Sequence, residues 1–150
     1  MMIYDQHARI IRFVCQHAPH AENGFDQHAV AIGLEENGEL IAGCVYSEYR
    51  GHSIHISMAS TTPRWANRRT LAVFFGYPFL QLKCKRLTAY TGKSMANVRA
   101  FLTRLGFTQE GVIREGFADD DCVVYGMLSG ECRWIPRTFH ERQPDSAACA

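Results

Sequence analysis

Apolar and polar positions fall into a series of short periodic segments. From Asp5 to His17, Ile10, Ile11, Val14 and Cys15 recur at helical spacing, and Pro19 closes the stretch. His28 to Glu35 alternates as a strand does. Asn37-Gly38 is a hairpin dipeptide, and Leu40 to Tyr49 supplies the partner strand. Gly51 turns the chain into His52 to Ser60, which predicts three consecutive antiparallel strands. Pro63 suits the first position of a helix capped by Thr61 or Thr62, running to about Tyr77 and stopped by Pro78. Arg86 to Thr91 reads as a short strand. Ser94 is the expected cap of a second helix with Val98, Phe101, Leu102 and Leu105 on one face and Gly106 as its stop. Thr108 to Phe117 and Cys122 to Leu128 are predicted strands around a turn at Asp119, Asp120 and Asp121. The expected fold class is α/β (α+β mixed): a central, mostly antiparallel mixed sheet of about six to seven strands with helices on both faces. One domain over 1–136 and a flexible tail over 137–150 are expected.

The 150 residues suffice for one domain, and 47% hydrophobic with 21% charged residues excludes disorder, collagen and coiled coil. The longest apolar run, Leu71 to Phe75, is far below the ~20 residues that cross a bilayer. Asp5 and Gln6 stand where a signal peptide would be apolar, so a cytoplasmic protein is expected. The six cysteines lie far apart without a C-x-x-C pair, which suits small buried hydrophobes in a reducing compartment. His52 and His55 are three apart on a predicted strand and face opposite sides, so no metal site is expected.

Charge changes this bland picture. The net charge is only +1, yet residues 61–105 hold nine basic residues and no Asp or Glu. A localised cationic field concentrates anions. Arg64, Arg68 and Arg69 fall in the first turns of the Pro63 helix, where the helix dipole already places positive charge at a cost of roughly 0.3–1 kcal/mol per cation. An anion there turns each penalty into an attraction. A phosphate site is expected. Nucleic acid fits less well, because the interleaved aromatics Trp65, Phe74, Phe75, Tyr77 and Tyr90 belong mostly to apolar faces.

Several stretches carry a family resemblance. They are Asn97-Val98-Arg99-Ala100, Arg104-Leu105-Gly106-Phe107, Glu110-Gly111 with Arg114, and Asp121 leading into Val124-Tyr125-Gly126-Met127. Over about 30–134 the chain resembles the GNAT superfamily of N-acetyltransferases, in particular short phage forms. Trp65 and Phe75-Gly76-Tyr77-Pro78-Phe79 resemble the RimJ/RimL-like branch. The resemblance implies transfer of acetyl from acetyl-CoA, as co-substrate and without a metal, to a primary amine by direct attack through a tetrahedral intermediate. The acceptor is then a small-molecule or peptide amine. The alternative is the same fold without activity, as a CoA binder or interaction module. A homodimer suits the apolar final strand, and neither a membrane nor a nucleic-acid partner is expected.

The same resemblance implies where the site lies. Ile56 to Ser60 is the strand that carries the thioester and pantetheine, with Met58 as oxyanion donor and Ala59 and Ser60 alongside. Arg64, Asn67, Arg68, Arg69 and Thr70 form the pyrophosphate loop, in which Arg64 stands first and Asn67 and Arg69 replace the family's two small positions. Asn67 is able to take a left-handed conformation there. Asn97, Phe101 and Arg104 complete the coenzyme contacts, with Arg104 where many members place an acid tyrosine. Glu48 and His55 are candidate bases, and Tyr125, with Tyr90 second, the candidate acid.

Overall fold

The computed structural model describes residues 1–21 and 23–136, so the expected tail over 137–150 lies outside the described residues. Seven strands form one sheet: β1 (Met2–Ile3), β2 (Val30–Glu36), β3 (Glu39–Ser47), β4 (Ser53–Ser60), β5 (Arg86–Gly92), β6 (Thr108–Phe117) and β7 (Asp120–Leu128). Their order is β1-β2-β3-β4-β5-β7-β6, and every neighbouring pair is antiparallel except β4 with β5. The mixed, mostly antiparallel sheet read from the sequence is the one observed. Asn37 and Gly38 both take positive φ (55° and 83°), the backbone that a two-residue hairpin requires.

Strand alternation sends side chains to two cores. Helix α1 (His7–His17) covers one face, where Ile10, Phe13 and Val14 pack with Ala31, Val45 and Ala59. It approaches closely because Gly33 and Gly43 lie beneath it; a Cβ on either would fall 3.0 Å from Ile10. Helices α2 (Arg68–Gly76) and α3 (Ala96–Leu105) cover the other face. There Leu71, Phe74, Phe75, Leu102 and Leu105 meet Ile54, Ile56, Leu87, Val123 and Met127. Cys44, Cys84, Cys122 and Cys132 are buried, as small hydrophobes would be. Among the described residues, no helix is long and apolar enough to cross a membrane.

The segment after Pro63 departs from its expected single helix in two ways. A short 3-10 turn, Pro63–Trp65, with the Thr62 side chain accepting from the Arg64 amide, precedes α2, so Arg64 lies outside the α-helix. Asn67 interrupts because it caps: its backbone is extended (φ −99°), not left-handed, and its side chain accepts the Thr70 amide at 3.0 Å. At the far end Pro78 does not stop the chain's helical path. It enters a wide π-turn, Tyr77–Gln81, closed by the Leu82 amide donating to the Tyr77 carbonyl at 3.0 Å. Proline lacks the N–H that would satisfy the Phe74 carbonyl, and the buried Tyr46 hydroxyl donates to that carbonyl at 2.5 Å. Tyr46→Phe leaves the carbonyl orphaned and is expected to cost about 1–3 kcal/mol. Thermal unfolding checks this: a Tm equal to that of the unsubstituted protein would deny the hydroxyl its role. Ser94 likewise does not cap α3, which begins at Ala96; its amide and hydroxyl both donate to Asp120. Gly106 ends α3 with φ 112°, as expected.

Candidate active site

Strands β4 and β5 are paired through only three registers: Ser53 with Arg86, Ile54 with Leu87 and His55 with Thr88. Beyond them β4 keeps β3 as its neighbour and β5 keeps β7, while the two strands part from each other. Ile56–Ser60 therefore turns one backbone edge into a cleft of about 860 Å³. Unpaired strand amides and carbonyls are strong hydrogen-bonding groups that an extended ligand can occupy.

The cleft reaches both faces of the sheet, and the two halves differ in chemistry. Toward α2 and α3 it is lined by Trp65, Ala66, Asn97, Val98, Phe101 and Arg104. Toward α1 it is lined by His17, His20, Phe25, Glu48, His55, Tyr90 and Phe117. Arg104 is the cation of the first half. Among the described lining residues, Glu48 is the sole carboxylate and stands in the second.

At the point where the strands part, His55 Nδ1–H donates to Glu48 Oε2 at 2.6 Å. The contact fixes the tautomer and leaves Nε2 as the basic nitrogen. Burial, chiefly, holds the His55 pKa below its ordinary 6.5; Arg50 and Arg86 act in the same direction and Glu48 opposes them. Burial thus favours the neutral imidazole, the form that can accept a proton. Tyr90 meets the His55 ring edge-on at 4.9 Å between centroids. Burial and the nearby Glu48 raise its pKa, so its hydroxyl keeps its proton.

Glu48 reaches His55 from an uncommon backbone. It follows the last residue of β3 with φ 52°, a left-handed conformation that costs a non-glycine residue of order 1 kcal/mol or more. Asp26 holds it there: Oδ1 accepts the Glu48 amide at 3.1 Å and Oδ2 accepts the His28 amide at 3.2 Å. Sequence reading passed over Asp26, because a carboxylate clamping a backbone 22 residues away leaves no local pattern. Asp26→Ala is expected to lower any turnover that depends on the Glu48–His55 pair about tenfold. Asp26→Asn, which keeps an acceptor for the amide, is expected to retain most of the rate; equal losses in both variants would exclude the clamp.

Other sequence candidates divide cleanly. Met58, Ala59, Ser60, Asn97, Phe101 and Arg104 line the cleft with Glu48 and His55. Tyr125 does not: it is 2% exposed, lies in the α2/α3 core and takes a hydrogen bond from Arg99 Nε at 3.3 Å. Its strand register sends it to the face away from His55, whereas Tyr90 stands beside that histidine. Thr70 is buried and its amide belongs to Asn67. Arg64 is 3.6 Å from Glu36, both exposed. Arg68 lies 5.9 Å over the Trp134 ring, and Trp134 is anchored by its indole N–H to the Leu105 carbonyl at 2.8 Å. Arg69 is exposed and has no ion-pair partner among the described residues. The first two amides of α2, Arg68 and Arg69, likewise keep no protein acceptor among the described residues. This terminus starts two residues after Ala66, at the rim of the cleft.

No protein-family model and no curated protein matches the sequence. Solved structures do match the fold. A variant of spermidine N-acetyltransferase SpeG from Vibrio cholerae aligns over 92% of this chain and 99% of its own, at TM-score 0.69 and 13% identity. An IAA acetyltransferase from Bacillus cereus aligns over 85% and 98%, at TM-score 0.66 and 14% identity. A probable acetyltransferase aligns over 69% of this chain and 62% of its own, at TM-score 0.60 and 20% identity. The chain shares the fold of these acetyltransferase structures.

Proposed function

We propose that the protein is an N-acetyltransferase that moves acetyl from acetyl-CoA to a primary amine. One observation carries this reading: a parted β4–β5 pair with a free backbone edge opens beside a neutral, carboxylate-held histidine. The charges of the two halves support it. An anionic coenzyme belongs with Arg104 and the α2 terminus, and an amine belongs with Glu48. The residues suit the coenzyme, since an extended amide-bearing arm matches the open β4 edge. The guanidinium groups of Arg68 and Arg69, with their free amides, suit a diphosphate.

Acetyl-CoA as co-substrate supplies an activated acetyl group. His55 Nε2 takes the proton of the incoming amine, and Glu48 holds Nδ1–H and favours the imidazolium that results. The Met58 amide on the open edge is the proposed donor to the developing oxyanion. Tyr90, not Tyr125, is the proposed donor to the departing thiolate. Titration calorimetry with acetyl-CoA tests binding, with a micromolar Kd (about −8 kcal/mol) expected. No heat at millimolar coenzyme would overturn the reading. Thiol release with a panel of primary amines tests transfer, and binding without release for any amine would leave a coenzyme-binding fold without chemistry.

A further inference from the structure

The acceptor half of the cleft is walled by rings. His20 lies flat against Phe117, 4.0 Å between centroids and 11° between planes, and Phe25 and Tyr90 line the same half. These rings come from three separate parts of the chain: the segment after α1, β5, and the end of β6. The His20–Phe117 stack joins the first and last of these across the mouth, and His20 Nδ1 is 3.5 Å from Asp119 Oδ1 beyond it. The bridge is seated on the end of β5, where a Cβ on Gly92 would fall 2.9 Å from His20 Nε2 and 2.6 Å from Asp120 Oδ2.

Among the described residues, the carboxylates around this half are engaged, Asp119 with His20 at the rim and the others elsewhere. Glu48 holds His55, Asp26 holds the Glu48 and His28 amides, and Asp120 holds Ser94. A polycation needs further carboxylates to receive its distal charges, and a polypeptide needs an open trough across the mouth. A flat apolar body needs what is present, since aromatic faces hold rings by burial and by offset or edge contacts.

We propose that the acceptor is a small monoamine carried on an aromatic body, its ring seated against Phe117 and His20 and its nitrogen directed at His55. This rests on the acetyltransferase reading. In the transfer the amine nitrogen bonds to the acetyl carbon and the carbon–sulfur bond breaks. The amine proton passes to His55 and the thiolate is protonated on leaving, so no oxidant or further reactant is involved.

Steady-state kinetics with phenethylamine, tryptamine, butylamine, spermidine and a short peptide with a free N-terminus tests it. Phenethylamine and tryptamine are expected to exceed butylamine and spermidine in kcat/KM by about tenfold or more. Phe117→Ala is expected to raise KM for phenethylamine about tenfold more than it raises KM for butylamine. A better rate with spermidine would overturn the proposal, as would a better rate with the peptide. A loss in Phe117→Ala equal for every amine would show a structural role only and would also overturn it. Turnover without preference for a ring removes this proposal alone. Absence of turnover with every amine removes the acetyltransferase reading with it.

Discussion

Replacing His55 by Ala is expected to lower kcat by about 10²–10⁴-fold, the range that a positioned proton acceptor supplies, with acetyl-CoA affinity unchanged. His55 stands at the last paired register of β4 and β5, donates Nδ1–H to Glu48 at 2.6 Å, and keeps Nε2 for the amine. The pH profile provides a second readout. Burial holds the His55 pKa below 6.5, against the pull of Glu48, so the neutral base is populated from neutrality upward. For the free enzyme, kcat/KM is expected to be level in that range where His55 governs it, and to fall on the acid side with an apparent pKa under 6.5. Glu48→Gln removes the charge that favours the imidazolium, so its acid limb is expected to move to still lower pH. An acid limb that stays in place, or His55→Ala with near-normal kcat, would exclude His55 as the base.

The double variant Arg68→Ala, Arg69→Ala is expected to raise the acetyl-CoA Kd about 100-fold or more. Hydrogen bonds to charged groups contribute about 1.5–3 kcal/mol each, and each 1.4 kcal/mol is tenfold in affinity. Both guanidinium groups crowd a terminus whose first two amides have no acceptor among the described protein groups. Lys83→Ala, Lys85→Ala is the control. These exposed lysines belong to the same basic segment but lie past the π-turn, away from the cleft lining. Calorimetry separates the cases: comparable losses in the two variants would reduce the arginine cluster to general basicity.

Element types were legible in the sequence wherever local chemistry decides them. Asn37-Gly38 turned as its dipeptide requires, Gly106 ended α3, and β6 has the expected bounds, Thr108–Phe117. Failures arose where a distant group overrode a local rule. Pro78 ends the α-helix as expected, α2 closing at Gly76, but the chain runs on into a π-turn where the Tyr46 hydroxyl, 28 residues away from Phe74, replaces the missing donor. Asn67 displays its capping chemistry in plain sequence, three residues before Thr70, although the family resemblance directs attention to its place in a loop instead.

The site was legible as residues but not as an assembly. Glu48 and His55 were separate candidates; only strand pairing shows that they are one unit, since Ser47 is registered opposite His55 and Glu48 follows Ser47. Tyr125 and Tyr90 could be ranked only by the face each occupies. Facing depends on how β5 and β7 register, which periodicity does not reveal. Asp26 and the His20–Phe117 stack had no sequence signal at all, because both join segments brought together by the fold.

A crystal structure of the protein grown with acetyl-CoA bears most directly on the proposition that the open edge of β4 is the coenzyme's seat. The expected result is an extended arm lying between β4 and β5, hydrogen-bonded to backbone groups within Ile56–Ser60, with the diphosphate on Arg68 and Arg69. A coenzyme bound elsewhere, or β4 and β5 closed against each other along their whole length, would contradict it.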